Sequence, residues 1–138
     1  MRTDLTLSEQ GDFAEGYVEA MLWANTYADG PDGIAHPDEL GIAVTLSPEA
    51  QETLWADCVD FLTPAVVRLL GGAFRRGERY QTYSLAGAGH DFALTRNHHG
   101  AGFWDRGFGL VGEALTEHAQ RHGERNLWVD SEGVAHVE

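Results

Sequence analysis

The run Gly89-His90-Asp91-Phe92-Ala93-Leu94-Thr95-Arg96-Asn97-His98-His99-Gly100-Ala101-Gly102-Phe103-Trp104-Asp105-Arg106-Gly107 holds the densest set of reactive side chains in the sequence. A histidine, an aspartate, an arginine and an asparagine held together support proton transfer or phosphate-ester hydrolysis. His90, Asp91, Arg96, Asn97, His99 and Asp105 are therefore the candidate catalytic residues. His90, His99 and Asp105 also form a candidate metal-ligand set. A second pair, His118 and His122, is spaced i, i+4 near Glu113 and Glu117. That spacing puts both imidazoles on one helix face but lacks the glutamate directly after the first histidine that a zincin needs.

Convergence of the first set requires a hairpin. Phe92 and Leu94 alternate with Ala93 and Thr95, which is strand periodicity. His90, Phe92, Leu94 and Arg96 then share one face, and Asp91, Ala93, Thr95 and Asn97 the other. Residues 98–102 read as a turn and Phe103-Trp104 as a returning strand, which carries Asp105 back towards His90 or Asp91. The same residues also have a purely structural reading. Gly100 and Gly102 supply positive backbone angles, and Asn97 and Asp105 hydrogen-bond the turn. Arg96 pairs with Asp91 or Asp105, and His90 is a satisfied half-buried histidine. No nucleophile elbow, P-loop or dinucleotide-binding glycine pattern is present.

This run resembles a segment of small tailed-bacteriophage proteins, written GHDFWLTRNGHGAGFWDRG. The likeness continues loosely through Leu115-Thr116 and Gly123-Glu124 to the turn at 130–133, with a weaker match at Asp57-Cys58 and Phe61. The sequence departs from it at Ala93, where tryptophan is usual, and at His98, where glycine is usual. The resemblance implies a phage or prophage origin and carries no activity with it.

Charge gives the second line of argument. The chain has 138 residues, 22 acidic against 9 basic, and a net charge of -13. Every basic residue is arginine. Residues 1–60 hold 13 acids and only Arg2, a net of -12, whereas residues 61–138 hold 9 acids and 8 arginines. Such a balance excludes a generic cationic nucleic-acid binder. Asp12, Glu15 and Glu19 fall at i, i+3 and i+7 of a helix, and Asp29, Asp32, Asp38 and Glu39 follow in an acidic loop. A row of carboxylates imitates DNA phosphates and is steered towards basic clefts, although an acidic surface also serves plain solubility. Trp23, Trp55, Trp104 and Trp128 lack a basic groove for base stacking and are expected in the core or at a protein interface.

The elements that must position these residues follow from local signals. Helix 1 is expected over about Ser8–Tyr27, with Thr6 and Glu9 as a capping box. A short strand is expected at Ile42–Val44. Helix 2 starts at Ser47-Pro48, restarts at Thr63-Pro64 and ends at Gly71-Gly72. A third helix covers about Glu113–His122, and Leu127–Val129 with Val134–Val137 closes as a hairpin. The expected fold is a single α+β domain over 1–138, an antiparallel sheet of hairpins with about three helices, order α-α-β-β-α-β-β. A lone cysteine, no apolar leader and no apolar run of bilayer length point to a cytoplasmic protein of a bacterial host.

The leading functional expectation is a phage-type acidic protein. It binds and inhibits or modulates a basic host DNA-handling or defence protein, by DNA mimicry, through Asp12, Glu15, Glu19, Asp29, Asp32, Asp38 and Glu39. It has no cofactor, no metal, no direct nucleic-acid contact and no membrane contact. The rival is a small hydrolase or ligand-binding protein with its site on the 90–105 hairpin. A third reading is a virion or assembly component, which requires a large apolar homo-oligomer contact.

Overall fold

The computed structural model describes residues 2–80 and 83–138. Helix α1 spans Leu7–Ala24, opened by the expected capping box: Thr6 Oγ1 accepts from the Glu9 amide at 3.1 Å and the Glu9 carboxylate accepts from the Thr6 amide at 3.0 Å. It ends before Tyr27, because Thr26 is already in strand β1 (Thr26–Gly30), which turns back as β2 (Gly33–Ala35). A 3-10 turn at Pro37–Leu40 follows, and the short strand β3 lies at Thr45–Leu46 rather than 42–44. Ser47 caps α2 (Pro48–Phe61), its hydroxyl accepting from the Ala50 amide at 3.0 Å. The chain restarts at Pro64 as α3 (Pro64–Tyr80), with Thr63 Oγ1 facing the Val66 amide at 3.3 Å. Helix α4 (Leu85–Arg96), a 3-10 turn at Phe103–Asp105, helix α5 (Leu110–Gln120) and strands β4 (Leu127–Val129) and β5 (Val134–Val137) complete the order.

Two expectations about this architecture are overturned. The described residues form five α-helices, not three, and the sheet is mixed, not antiparallel. Its strand order is β2-β1-β4-β5-β3, with β1–β4 and β3–β5 parallel and β1–β2 and β4–β5 antiparallel. The C-terminal hairpin forms as expected, but it inserts between strands from the first half of the chain. The order α-α-β-β-α-β-β fails chiefly because residues 90–96 are helical. Four alternating residues are too few to separate a strand from a helix buried on all sides. Residues 91–96 are all buried, so no polar stripe marks a helical period. Gly71-Gly72 does not end the helix: α3 runs past it to Tyr80, with a Cβ at Gly72 in ordinary contact distance of Val111 of α5.

The core forms where α1 crosses α4. A Cβ on Gly16 would lie 1.8 Å from the Ala86 carbonyl oxygen, and one on Gly89 only 1.9 Å from that of Phe13. Only glycine permits the two backbones to touch at these points. Around the crossing, Phe61 and Phe92 stack at 4.1 Å between ring centroids, flanked by Tyr17, Phe13 and Phe103. On the sheet, Ala28, Leu127, Val129 and Ala135 are buried in the same core. The tryptophans do not fill it: Trp23, Trp55 and Trp104 are 62%, 40% and 52% exposed. Among the described residues no helix is long and apolar enough to cross a membrane.

Candidate functional site

The six candidate catalytic residues are not hydrogen-bonded to one another among the described residues: helix α4 fans His90, Asp91 and Arg96 around its axis, and Asn97, His99 and Asp105 lie beyond its end. Asp91, fully buried, accepts two bonds from Arg106 at 3.0 and 2.9 Å and one from the Tyr83 hydroxyl at 2.6 Å. Arg96, 2% exposed, turns the other way. It donates to the carbonyls of Gly123 and His122 and to the Tyr17 hydroxyl at 2.8–2.9 Å, and lies 3.1 Å from Asp57. The expected partners of Arg96, Asp91 and Asp105, are thus replaced by Asp57. The Asn97 side chain exchanges two 2.8 Å bonds with the backbone of Arg125, and His99 Nε2 meets Asn25 Oδ1 at 2.6 Å. Asp105 accepts from the Gly102 amide at 3.0 Å, which is a turn cap. His90 packs against the ring of Trp23 at 5.7 Å.

Two buried carboxylates therefore organise this region. Asp57 receives a bidentate pair from Arg125 (3.0 and 2.9 Å) and a bond from the Tyr17 hydroxyl at 2.9 Å, besides Arg96. Hydrogen bonding to these carboxylates holds the Arg125 and Arg106 guanidinium pKa values above their ordinary value. Burial pushes the Tyr17, Tyr83 and Cys58 pKa values up, so none of these is a ready nucleophile or base. No buried side-chain polar atom is left without a partner among the described residues. Asp57 and Arg106 were missed as members of this network. The sequence does hold a signal for Asp57, since it falls with Leu54, Cys58 and Phe61 on the core face of α2.

The polar side chains of the 89–107 run are largely spent here. Asp91, Arg96, Asn97, Asp105 and Arg106, with Asp57 of α2, tie α2, α4 and the segments flanking α5 together, and His99 reaches the end of α1. His98 is exposed with φ 58°, the left-handed region that favours glycine. Replacing His98 by glycine should stabilise the protein by about 0.5 kcal/mol. Relief of left-handed strain outweighs the added freedom of the unfolded chain. A urea midpoint at or below that of the parent would refute this.

Of the second histidine pair, His118 lies on α5 and His122 just beyond its end. The His122 ring stands edge-on to Phe61 and Phe92, at 5.8 and 5.6 Å. Burial, then the Arg96 charge, lowers its pKa and favours the neutral ring. No group of three His, Cys, Asp or Glu side chains among the described residues is placed to hold a metal ion.

The acidic residues present a different picture. Phe13, Gly16, Tyr17, Ala20 and Met21 face the core, so Asp12, Glu15 and Glu19 project outward from α1, in a stripe that ends at exposed Trp23. Seven residues of helix separate Asp12 from Glu19, about 10 Å. Beyond the helix, Asp29 and Asp32 sit on the β1–β2 hairpin and Asp38 and Glu39 on the 3-10 turn, all exposed. His36 fastens that turn to α1: its Nε2 meets the Leu22 carbonyl at 2.9 Å, and its Nδ1 accepts from the Asp38 amide at 3.1 Å. Nδ1 also stands 3.7 Å from the Asp38 carboxylate, which is itself exposed.

None of these seven carboxylates pairs with an arginine among the described residues. The arginines that are paired meet Glu9, Asp57, Asp91 and Glu117 instead. Beside the α1 stripe, Ala14, Val18, Leu46 and Trp55 line an apolar groove of about 300 Å³ with Glu15 at its edge. Comparison with protein-family models, with curated proteins and with solved structures finds no match.

Proposed function

We propose that this chain is a phage-type acidic protein that acts in the cytoplasm of a bacterial host. There it binds and inhibits or modulates a basic DNA-handling or defence protein. The observation that carries this reading is the division of the charges. The arginines of α4, its following loop and the C-terminal segment are consumed by buried Asp91 and Asp57. The carboxylates of α1, the hairpin and the 3-10 turn stay exposed and uncompensated. A surface of this kind attracts basic clefts over a Debye length, in the manner of DNA phosphates. The phage-like segment supports the setting, and Trp23 and Trp55 beside the acidic stripe are the residue type that anchors protein interfaces.

The test is capture from host lysate at low and at high salt, followed by competition with duplex DNA. The expected partner is a nucleic-acid-binding protein, released by salt and by DNA. The triple variant D12R/E15R/E19R should lose at least tenfold in affinity while keeping its helical spectrum, since all three side chains are exposed. Unchanged capture by the triple variant would remove the acidic stripe as the determinant. Capture insensitive to DNA would remove mimicry.

A further inference from the structure

The basic counterpart of the acidic stripe lies on α3. A cleft of about 220 Å³ opens between the N-terminal segment and this helix, with Leu5, Val67 and Phe74 forming apolar walls and Arg68 and Arg75 charging its rim. We propose that this cleft binds an amphiphilic anion: a phosphate, sulfonate or carboxylate group carried on a small apolar body.

Three features of the cleft argue for it. First, Arg68 and Arg75 are seven residues apart, two turns of one helix face, so their guanidinium groups serve the same opening. Neither pairs with a carboxylate among the described residues, unlike Arg96, Arg106, Arg121 and Arg125. Second, Glu9, the one acid lining the cleft among the described residues, is already neutralised. Glu9 is bound by Arg2 and by the Thr6 amide, which holds its carboxyl down at about 2. The Arg2–Glu9 pair leaves the arginines of α3 as a local positive excess on a strongly acidic protein. Third, Gly71 leaves the helix surface bare between them. A Cβ there would stand 3.7 Å from Arg75 Nη1, so the guanidinium lies back over the glycine and donates into the space a larger side chain would occupy. The apolar walls require more than a bare anion, and the arginines reject a neutral apolar molecule.

Phenyl phosphate is the probe, with inorganic phosphate and benzyl alcohol as the anion-only and apolar-only arms, each titrated by NMR against the whole chain. Phenyl phosphate should give saturable shifts at Val67, Arg68, Phe74 and Arg75, with inorganic phosphate at least tenfold weaker and benzyl alcohol producing none. Two variants attack the site differently. R68Q/R75Q removes the charge, and G71L fills the space while improving helix propensity. Each should weaken phenyl phosphate at least tenfold with the fold intact. Inorganic phosphate binding equally well would overturn the apolar half of the proposal. Affinity unchanged in either variant, or no saturable shift in the parent, would overturn it altogether. None of these readings involves the acidic stripe of α1, so failure here leaves the partner-binding proposal standing.

Discussion

Replacing Asp57 with alanine should destabilise the protein by about 3–5 kcal/mol, the usual cost of leaving a buried charge without its partner. The carboxylate is 8% exposed and is the counter-charge for Arg96 and Arg125. Arg96 cannot swing out to water, because its remaining donors are fixed to the carbonyls of His122 and Gly123. Its charge would stay behind, unbalanced, against the rings of the core. Arg125 would lose a bidentate partner, and with it the restraint on the segment that Asn97 holds from the other side. The control is Glu117→Ala, which breaks the exposed pair with Arg121 and should cost less than about 0.5 kcal/mol. Urea unfolding of both variants decides the matter. If the two cost the same, Asp57 is not the fastening point described here.

The second large effect reverses the ordinary rule for helices. Glycine to alanine in a helix interior normally gains about 1 kcal/mol. At Gly16 the same change should cost about 2–3 kcal/mol, because the new methyl meets the backbone of α4 rather than a side chain that can turn aside. Nothing lies within 4 Å of a Cβ at Gly11 on the same helix, so Gly11→Ala should stabilise by up to about 1 kcal/mol. Opposite signs from one substitution, five positions apart, would confirm the α1–α4 contact. Equal signs would disprove it.

What could be read from the sequence was set by range. The Thr6–Glu9 box, the Ser47-Pro48 start, the Pro64 restart and the 127–137 hairpin are local signals, and each appears where expected. The parallel pairing of β1 with β4 joins residues a hundred positions apart, and nothing in either strand announces the other. Helix α4 was hidden for the reason it matters. Its small residues carry no apolar helical stripe, yet Ala86 and Gly89 are where its backbone touches α1. The candidate site suffered from the same error. His90, Asp91, Arg96, Asn97, His99 and Asp105 lie close in the sequence, yet share no hydrogen bond with one another among the described residues. A helical rather than extended backbone sends them to different partners, mostly structural ones. The acidic stripe on α1 survived because it depended only on helical spacing, which was right.

The placement of β4 and β5 bears on how the protein comes into being. Their neighbours in the sheet, β1 and β3, emerge from the ribosome long before them and have no central strands to pair with until Val137 is made. Arg96 likewise waits for the carbonyls of residues 122 and 123. Pairing of β1 and β3 with the centre of the sheet therefore has to wait until β4 and β5 have been made.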